Sequence, residues 1–172
     1  SVIYMQVIWA IGISMIALAI LVWLPRPALF VVGALIVAGH NLLDGLHFPV
    51  GSSLHVPWAI LHDRGWIEVS EQLRLRTSYP VLPWIGVIAL GYCIGPWFAG
   101  SASVNSRRRK LLVAGSGVLL GFFALRLVNG YGEAQWLAYE GTTQTLMSFF
   151  NITKYPPSLL FLALTLGVGL LL

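Results

Sequence analysis

Phe150-Asn151-Ile152-Thr153-Lys154-Tyr155-Pro156-Pro157-Ser158 runs straight into the apolar stretch Leu159–Leu172. A polar, charged segment ends at a Pro-Pro step, and no charge follows it. Proline in a first helical turn gives up no needed N–H donor and presets the backbone angle. The stretch predicts a membrane helix that begins at Pro156, with Lys154 and Tyr155 at the water line. One such helix near the end of an apolar chain points to several more before it.

Composition agrees. Hydrophobic residues make up 58% and charged residues 9% of 172, against roughly 25% charged in a soluble domain. Such a chain has too few charges for an ordinary water-facing surface, so its solvent is a lipid bilayer. The net charge of +4 then reports orientation rather than nucleic-acid binding. The lone Cys93 excludes a disulfide framework and reads as a small packing residue. The chain is apolar from Ser1 with no basic segment or cleavage site before it, so this opening stretch does not read as a signal peptide, and the sequence stops inside an apolar run. The expectation is a fragment, truncated at both ends, of a longer membrane protein.

Five apolar segments define the expected fold class, an all-α polytopic integral membrane helical bundle. They are residues 2–24, 27–43, 81–99, 111–128 and 156–172, each near the ~20 residues that cross a ~30 Å core. The Pro25-Arg26-Pro27 break predicts a tight hairpin between the first two. Gly91 and Gly95 form a small-xxx-small pattern that predicts close helix packing. The links 25–26 and 100–110 carry Arg26, Arg107, Arg108, Arg109 and Lys110 and no acid. All six carboxylates fall in the links 44–80 and 129–155. The positive-inside bias puts the Arg/Lys-only links in the cytoplasm and the two long links on the opposite face, as in a bacterial inner membrane.

The long links hold the candidate chemistry. On a helix His40, Asp44 and His47 share one side, because i, i+4 and i+7 are neighbours. A carboxylate beside an imidazole orients the ring and raises its basicity, which suits a general base. His40 and Asp44 are the catalytic candidates, with Asn41 and His47 beside them for substrate; an interfacial polar cap is the plainer alternative. The histidines at 40, 47, 55 and 62 recur at steps of seven and eight. Pro49, Gly51 and Pro57 interrupt any continuous helix there, and no haem or metal is expected. Residues 56–67, with Trp58 and Trp66, read as an interfacial or re-entrant segment. Arg126, with Asn129 and Tyr131, either snorkels to water or grips an anionic substrate group with its planar fork. Lys154 and Tyr155 complete the substrate-binding candidates. Phosphate loops, serine-hydrolase elbows and zinc-protease helices are missing from the sequence.

Several blocks together resemble a known family. They are Gln6-Val7-Ile8-Trp9-Ala10-Ile11-Gly12, Gly39-His40-Asn41-Leu42-Leu43-Asp44, Tyr79-Pro80-Val81-Leu82-Pro83-Trp84-Ile85-Gly86, Leu125-Arg126 with Asn129-Gly130-Tyr131-Gly132, and Phe150 to Leu159. The chain resembles a bacterial membrane family of unknown function related to the catalytic domain of heparan-alpha-glucosaminide N-acetyltransferase. The resemblance implies a transmembrane acyltransferase that takes acetyl from acetyl-CoA and passes it across the membrane to a small-molecule acceptor, in the lysosomal enzyme the amine of a terminal glucosamine. The family's essential histidine belongs to an opening segment upstream of the residues here. His40 is therefore a candidate on its own chemistry. The alternative is a small-solute transporter or membrane partner subunit, whose polar groups line a path without covalent chemistry. The expected partners are the bilayer and a small acceptor such as a sugar, with a homo-oligomer left open.

Overall fold

The structure, a computed structural model, describes residues 1–100 and 102–172. They form two compact units, Ser1–Ile94 and Gly95–Leu172; Ser101, in the expected 100–110 link, lies outside the described residues.

The first unit opens on strand β1 (Val2–Met5), followed by helices α1 (Val7–Leu21) and α2 (Arg26–Gly39). A 3-10 turn, His40–Leu43, extends α2. The short helix α3 (His55–Leu61), strands β2 (Trp66–Ser70) and β3 (Leu73–Thr77), and helix α4 (Leu82–Ile94) complete it. The strands form one sheet in the order β1-β3-β2, with β1 parallel and β2 antiparallel to β3. The expected all-α class is corrected by this sheet. Leu73-Arg74-Leu75-Arg76-Thr77 alternates apolar and polar residues, the pattern of a half-buried strand. Val2-Ile3-Tyr4 is apolar, β-branched and aromatic; such a short run suits strand or helix, and the ladder offered by β3 decides.

Beneath the sheet, Met5 and Ile67 are buried with Ala59 of α3, and Trp9, Ile60 and Leu75 pack against them. Because β1 and β3 are parallel and each feeds a helix, α1 and α4 leave the sheet in the same sense. The chain turns at Pro25-Arg26-Pro27, with Pro27 in the first turn of α2, but α1 and α2 each pack on α4 rather than forming the expected tight hairpin with each other. The turn brings the far end of α2 back beside the sheet, where the His62 ring meets the carbonyl of His40. α2 and α4 touch backbone to backbone. A Cβ on Gly33 would lie 3.1 Å from the Gly86 carbonyl oxygen, and one on Gly86 would lie 2.8 Å from Val37 Cγ2. These glycines, not Gly91 and Gly95, make the close approach; a Cβ on either of the latter meets nothing within 4 Å. Cys93 is half-buried, with Sγ 3.6 Å from the Arg26 carbonyl oxygen.

The second unit contains a 3-10 turn, Gly95–Phe98, and helices α5 (Val104–Val128), α6 (Thr142–Phe150) and α7 (Leu159–Leu171). Ser103 caps α5 by accepting a 3.2 Å hydrogen bond from the Ser106 N–H. The Arg107–Lys110 run therefore lies on a helix rather than in a link. α5 and α7 pack through Gly115 and Gly167, where an added Cβ would meet Leu171 or Leu119 at 2.8 Å. α7 begins at Leu159, later than the Pro156 expected from sequence. The Ser158 hydroxyl accepts from Phe161 N–H at 3.0 Å and sets the boundary as an N-cap.

Two helical stretches, Arg26–Leu43 and Val104–Val128, are long and apolar enough to cross a membrane. Val7–Leu21, Leu82–Phe98 and Leu159–Leu171 are apolar but shorter. At ~1.5 Å per residue, fifteen helical residues span about 22 Å of a ~30 Å core. The first expected span is shortened because β1 takes its opening residues, and the fifth because the Pro-Pro step is a loop.

Candidate functional site

Polar side chains converge in the first unit where the 3-10 turn after α2 meets the end of α3. His62 caps α3, and its backbone N–H donates to the Trp58 carbonyl at 2.8 Å. Its ring stacks on Trp58, centroids 5.1 Å apart. Only 4% of His62 is exposed. Nε2 lies 2.9 Å from the His40 carbonyl oxygen and 3.3 Å from Asp44 Oδ1. A carbonyl can only accept, so Nε2 carries the proton. Nδ1 is buried and makes no hydrogen bond. The Asp63 carboxylate stands 3.6 Å from it, and accepts instead from His47 Nδ1 at 3.0 Å. The order Asp44, His62, Asp63, His47 thus alternates carboxylate and imidazole from one exposed end to the other through a buried ring.

This is a different grouping from the one expected on a single helix face. α2 gives way at Gly39 to the 3-10 turn, and the chain bends at Asp44 and Gly45. The i, i+4, i+7 alignment of His40, Asp44 and His47 is lost with it. His40 is buried and its Nδ1 donates to the Val37 carbonyl oxygen at 3.0 Å. Asn41 donates to Asp44 Oδ2 at 2.8 Å and holds the carboxylate. Sequence reasoning missed His62 and Asp63, although the histidine series gave a signal. Among the described residues no three His, Cys, Asp or Glu side chains are grouped to hold a metal ion.

The segment read as interfacial or re-entrant is α3 followed by β2. Two tethers fix it. Trp58 Nε1 donates to the Leu46 carbonyl at 2.7 Å. The His55 ring lies between two carbonyls, with Nδ1 2.9 Å from Phe48 O and Nε2 3.2 Å from Trp66 O. Both carbonyls accept, so the doubly protonated ring fits best. The Phe48 and Trp66 carbonyls raise the His55 pKa above its ordinary value.

In the second unit Arg126 does not snorkel to water; its guanidinium is buried on backbone carbonyls. It is 2% exposed. Nε donates to Phe149 O at 2.6 Å, one terminal nitrogen to Ala134 O at 2.8 Å, and the other to Ser148 O at 2.9 Å and Asn151 O at 3.1 Å. Three of these carbonyls lie at the C-terminal end of α6, where a cation is favoured by the helix dipole. Asn129, left-handed at φ 56°, clamps the backbone of Trp136 through both ends of its amide at 2.9 Å. The Trp136 indole donates back to Arg126 O at 2.8 Å. Arg126 and Asn129 are thereby committed to building the 129–151 segment. Tyr131 is half-buried beside them.

Glu133, named by sequence only as a neighbour, organises the loop before α7. Its carboxylate accepts from the Thr153 N–H, the Thr153 hydroxyl at 2.8 Å, the Ser158 hydroxyl at 2.7 Å and the Ala134 N–H at 2.9 Å. Ser158 N–H closes the loop onto Thr153 O at 3.0 Å. Burial alone would raise the Glu133 pKa, but these four donors outweigh it and hold it below the ordinary value. Lys154 and Tyr155 sit exposed at the tip, with the ammonium 5.1 Å from the ring centroid.

The family model described as heparan-alpha-glucosaminide N-acetyltransferase, catalytic, matches residues 1–127, roughly three quarters of the chain. No curated protein and no solved structure matches. The match covers the whole first unit, with its Asp44–His62–Asp63–His47 cluster, and α5 through Leu127. It therefore takes in the resemblance blocks from Gln6 to Arg126, and the chain belongs to the heparan-alpha-glucosaminide N-acetyltransferase catalytic family.

Proposed function

We propose that this chain is part of a membrane-embedded acyltransferase that moves acetyl from acetyl-CoA to an amino sugar or similar acceptor. Family membership over residues 1–127 is the observation that carries the reading. Five spans cross the bilayer in this proposal, the three shorter apolar helices being completed by their flanking turns. The Arg26 link and the 100–110 link face the cytoplasm of a bacterial inner membrane, as their unbalanced positive charge favours.

Acetyl-CoA supplies an activated acyl group, and the protein must remove a proton from the attacking amine or hydroxyl. The polar cluster at the end of α2 suits that task. Nε2–H of His62 is held by the His40 carbonyl and Asp44, which leaves the buried Nδ1 to take up a proton that reaches it through the exposed His47 and Asp63. A proton arriving there turns the ring into a cation between Asp44 and Asp63. His40 and Asp44 then act as orienting groups, and Asn41 and His47 flank the acceptor. In the second unit Tyr131, Lys154 and Tyr155 remain candidates for acceptor contact, while Arg126 and Asn129 shape the segment that carries them.

The test is transfer of labelled acetyl from acetyl-CoA to glucosamine by the purified full-length protein. The reading expects turnover, and expects His62→Ala to abolish it in protein that still folds. CoA release that is absent while a solute still fluxes into vesicles would replace it with the transporter reading. Unchanged turnover in His62→Ala would remove the cluster from the mechanism.

A further inference from the structure

The face of the sheet turned away from α3 carries two rows that the proposed chemistry does not use. The register sets Tyr4 opposite Arg76 and Arg76 opposite Trp66, and sets Val2 opposite Arg74 and Arg74 opposite Glu68. Residues paired across neighbouring strands share a face. The row nearest the helices is therefore Tyr4–Arg76–Trp66. Both guanidinium groups lie over the same indole, Arg74 at 4.9 Å and Arg76 at 4.8 Å from its centroid. Arg74 has a partner, Glu68, at 3.3 Å. No hydrogen bond or ion pair engages the Arg76 guanidinium among the described residues. Two cations thus stack on one ring, Glu68 pairs with Arg74 alone, and the Arg76 fork meets no acceptor among the described residues.

The position of the row decides the partner. Met5 ends β1 and Val7 starts α1; Thr77 ends β3 and Leu82 starts α4. Tyr4 and Arg76 lie one residue before the ends of strands that lead directly into apolar helices. Tyr, Trp and Arg at that level are the residue types that sit among lipid headgroups. Tyr4 is 56% exposed, and planar guanidinium groups match phosphate oxygens in pairs. We infer that the Tyr4–Arg76–Trp66 row, with Arg74 behind it, binds the phosphodiester of an anionic phospholipid and holds the sheet against the bilayer surface. The inference requires α1 and α4 to lie in the membrane, but it does not depend on acyl transfer.

Native mass spectrometry of the full-length protein, titrated with phosphatidylglycerol and with phosphatidylcholine, reads the site. Phosphatidylglycerol is expected to bind more tightly, and Arg74→Gln and Arg76→Gln each to weaken it about fivefold. Arg76→Lys keeps the charge and loses the fork and the stack, so it should fall between wild type and Arg76→Gln; it also serves if the double variant Arg74→Gln/Arg76→Gln fails to fold. Arg107→Gln on α5 controls for anionic lipid held elsewhere. Unchanged phosphatidylglycerol affinity in the double variant overturns the site, as does a loss confined to Arg107→Gln. Inorganic phosphate that binds these arginines as tightly as the lipid would make this a free-anion site and overturn the lipid assignment.

Discussion

The carboxylate of Glu133 accepts a 2.7 Å hydrogen bond from the hydroxyl of Ser158, and the same hydroxyl accepts from the Phe161 N–H to start α7. One acid therefore fixes both the Thr153–Ser158 loop and the first turn of the helix behind it. Glu133→Gln keeps the shape but loses the charge that four donors address. The expected destabilisation is about 1–3 kcal/mol, with partial exposure limiting it. Thermal unfolding in detergent measures it, and a variant as stable as wild type would refute the latch.

Acid should have the same effect. The folded pKa of Glu133 is depressed, so its stabilisation is full above the unfolded value and is lost as pH falls through the folded one. Proteolysis of the 153–158 loop should accelerate as pH falls below the ordinary carboxylate range, and Glu133→Gln should flatten that dependence.

His55 carries the opposite sign. Its folded pKa is raised by the two carbonyls. The tether is complete below the ordinary histidine pKa of about 6.5 and is lost as pH rises through the folded value. Intrinsic-rate-corrected hydrogen exchange across residues 48–66 should show protection that weakens with rising pH. His55→Gln should remove the dependence.

Arg126→Leu takes the guanidinium donors from four carbonyls, at Ala134, Ser148, Phe149 and Asn151, of which Ser148 O keeps the Asn151 N–H. A loss of about 3–5 kcal/mol is expected. Arg126→Lys should recover only part of it, because an ammonium cannot reach carbonyls arranged for a planar fork. Melting temperatures of the three proteins decide this.

Glycine placement makes a paired prediction. Gly86→Val and Gly115→Val force side chains into contacts already closer than 3 Å at the Cβ, and each should destabilise by about 1–3 kcal/mol. Gly91→Val has open space and should change little. Equal losses at all three positions would contradict the packing described.

Orientation is open to labelling. In a Cys93→Ala background, a cysteine replacing Ser106 should react with impermeant maleimide only after the cell is opened. Labelling in intact cells would invert the proposed topology.

How far the sequence could be read depended on where each partner lies. The turn at Pro25-Arg26-Pro27 is local and legible, since proline restricts the chain at that point, whereas the packing of α1 and α2 on α4 is not. The strand pattern of residues 73–77 is present too, but its parallel partner Val2–Met5 lies at the other end of the first unit, and the apolar run of β1 suits a helix equally well without that ladder. Asp44 and His62 meet across a loop whose path periodicity does not encode. Arg126 was ambiguous for another reason: its partners are backbone carbonyls, which leave no trace in residue type. The start of α7 turned on Ser158, a capping residue overshadowed by the two prolines before it.

The parallel pairing of β1 with β3 also constrains how the chain is made. β1 leaves the ribosome well before β3, and its ladder cannot form until residues 73–77 have followed. In the proposed topology α1 and α2 enter the membrane while that strand still lacks its partner, and the sheet can close only once β3, just ahead of α4, has been made. That topology couples completion of the sheet to insertion of α4, so damage to β3 should surface as misinsertion of a helix and not only as a disordered loop.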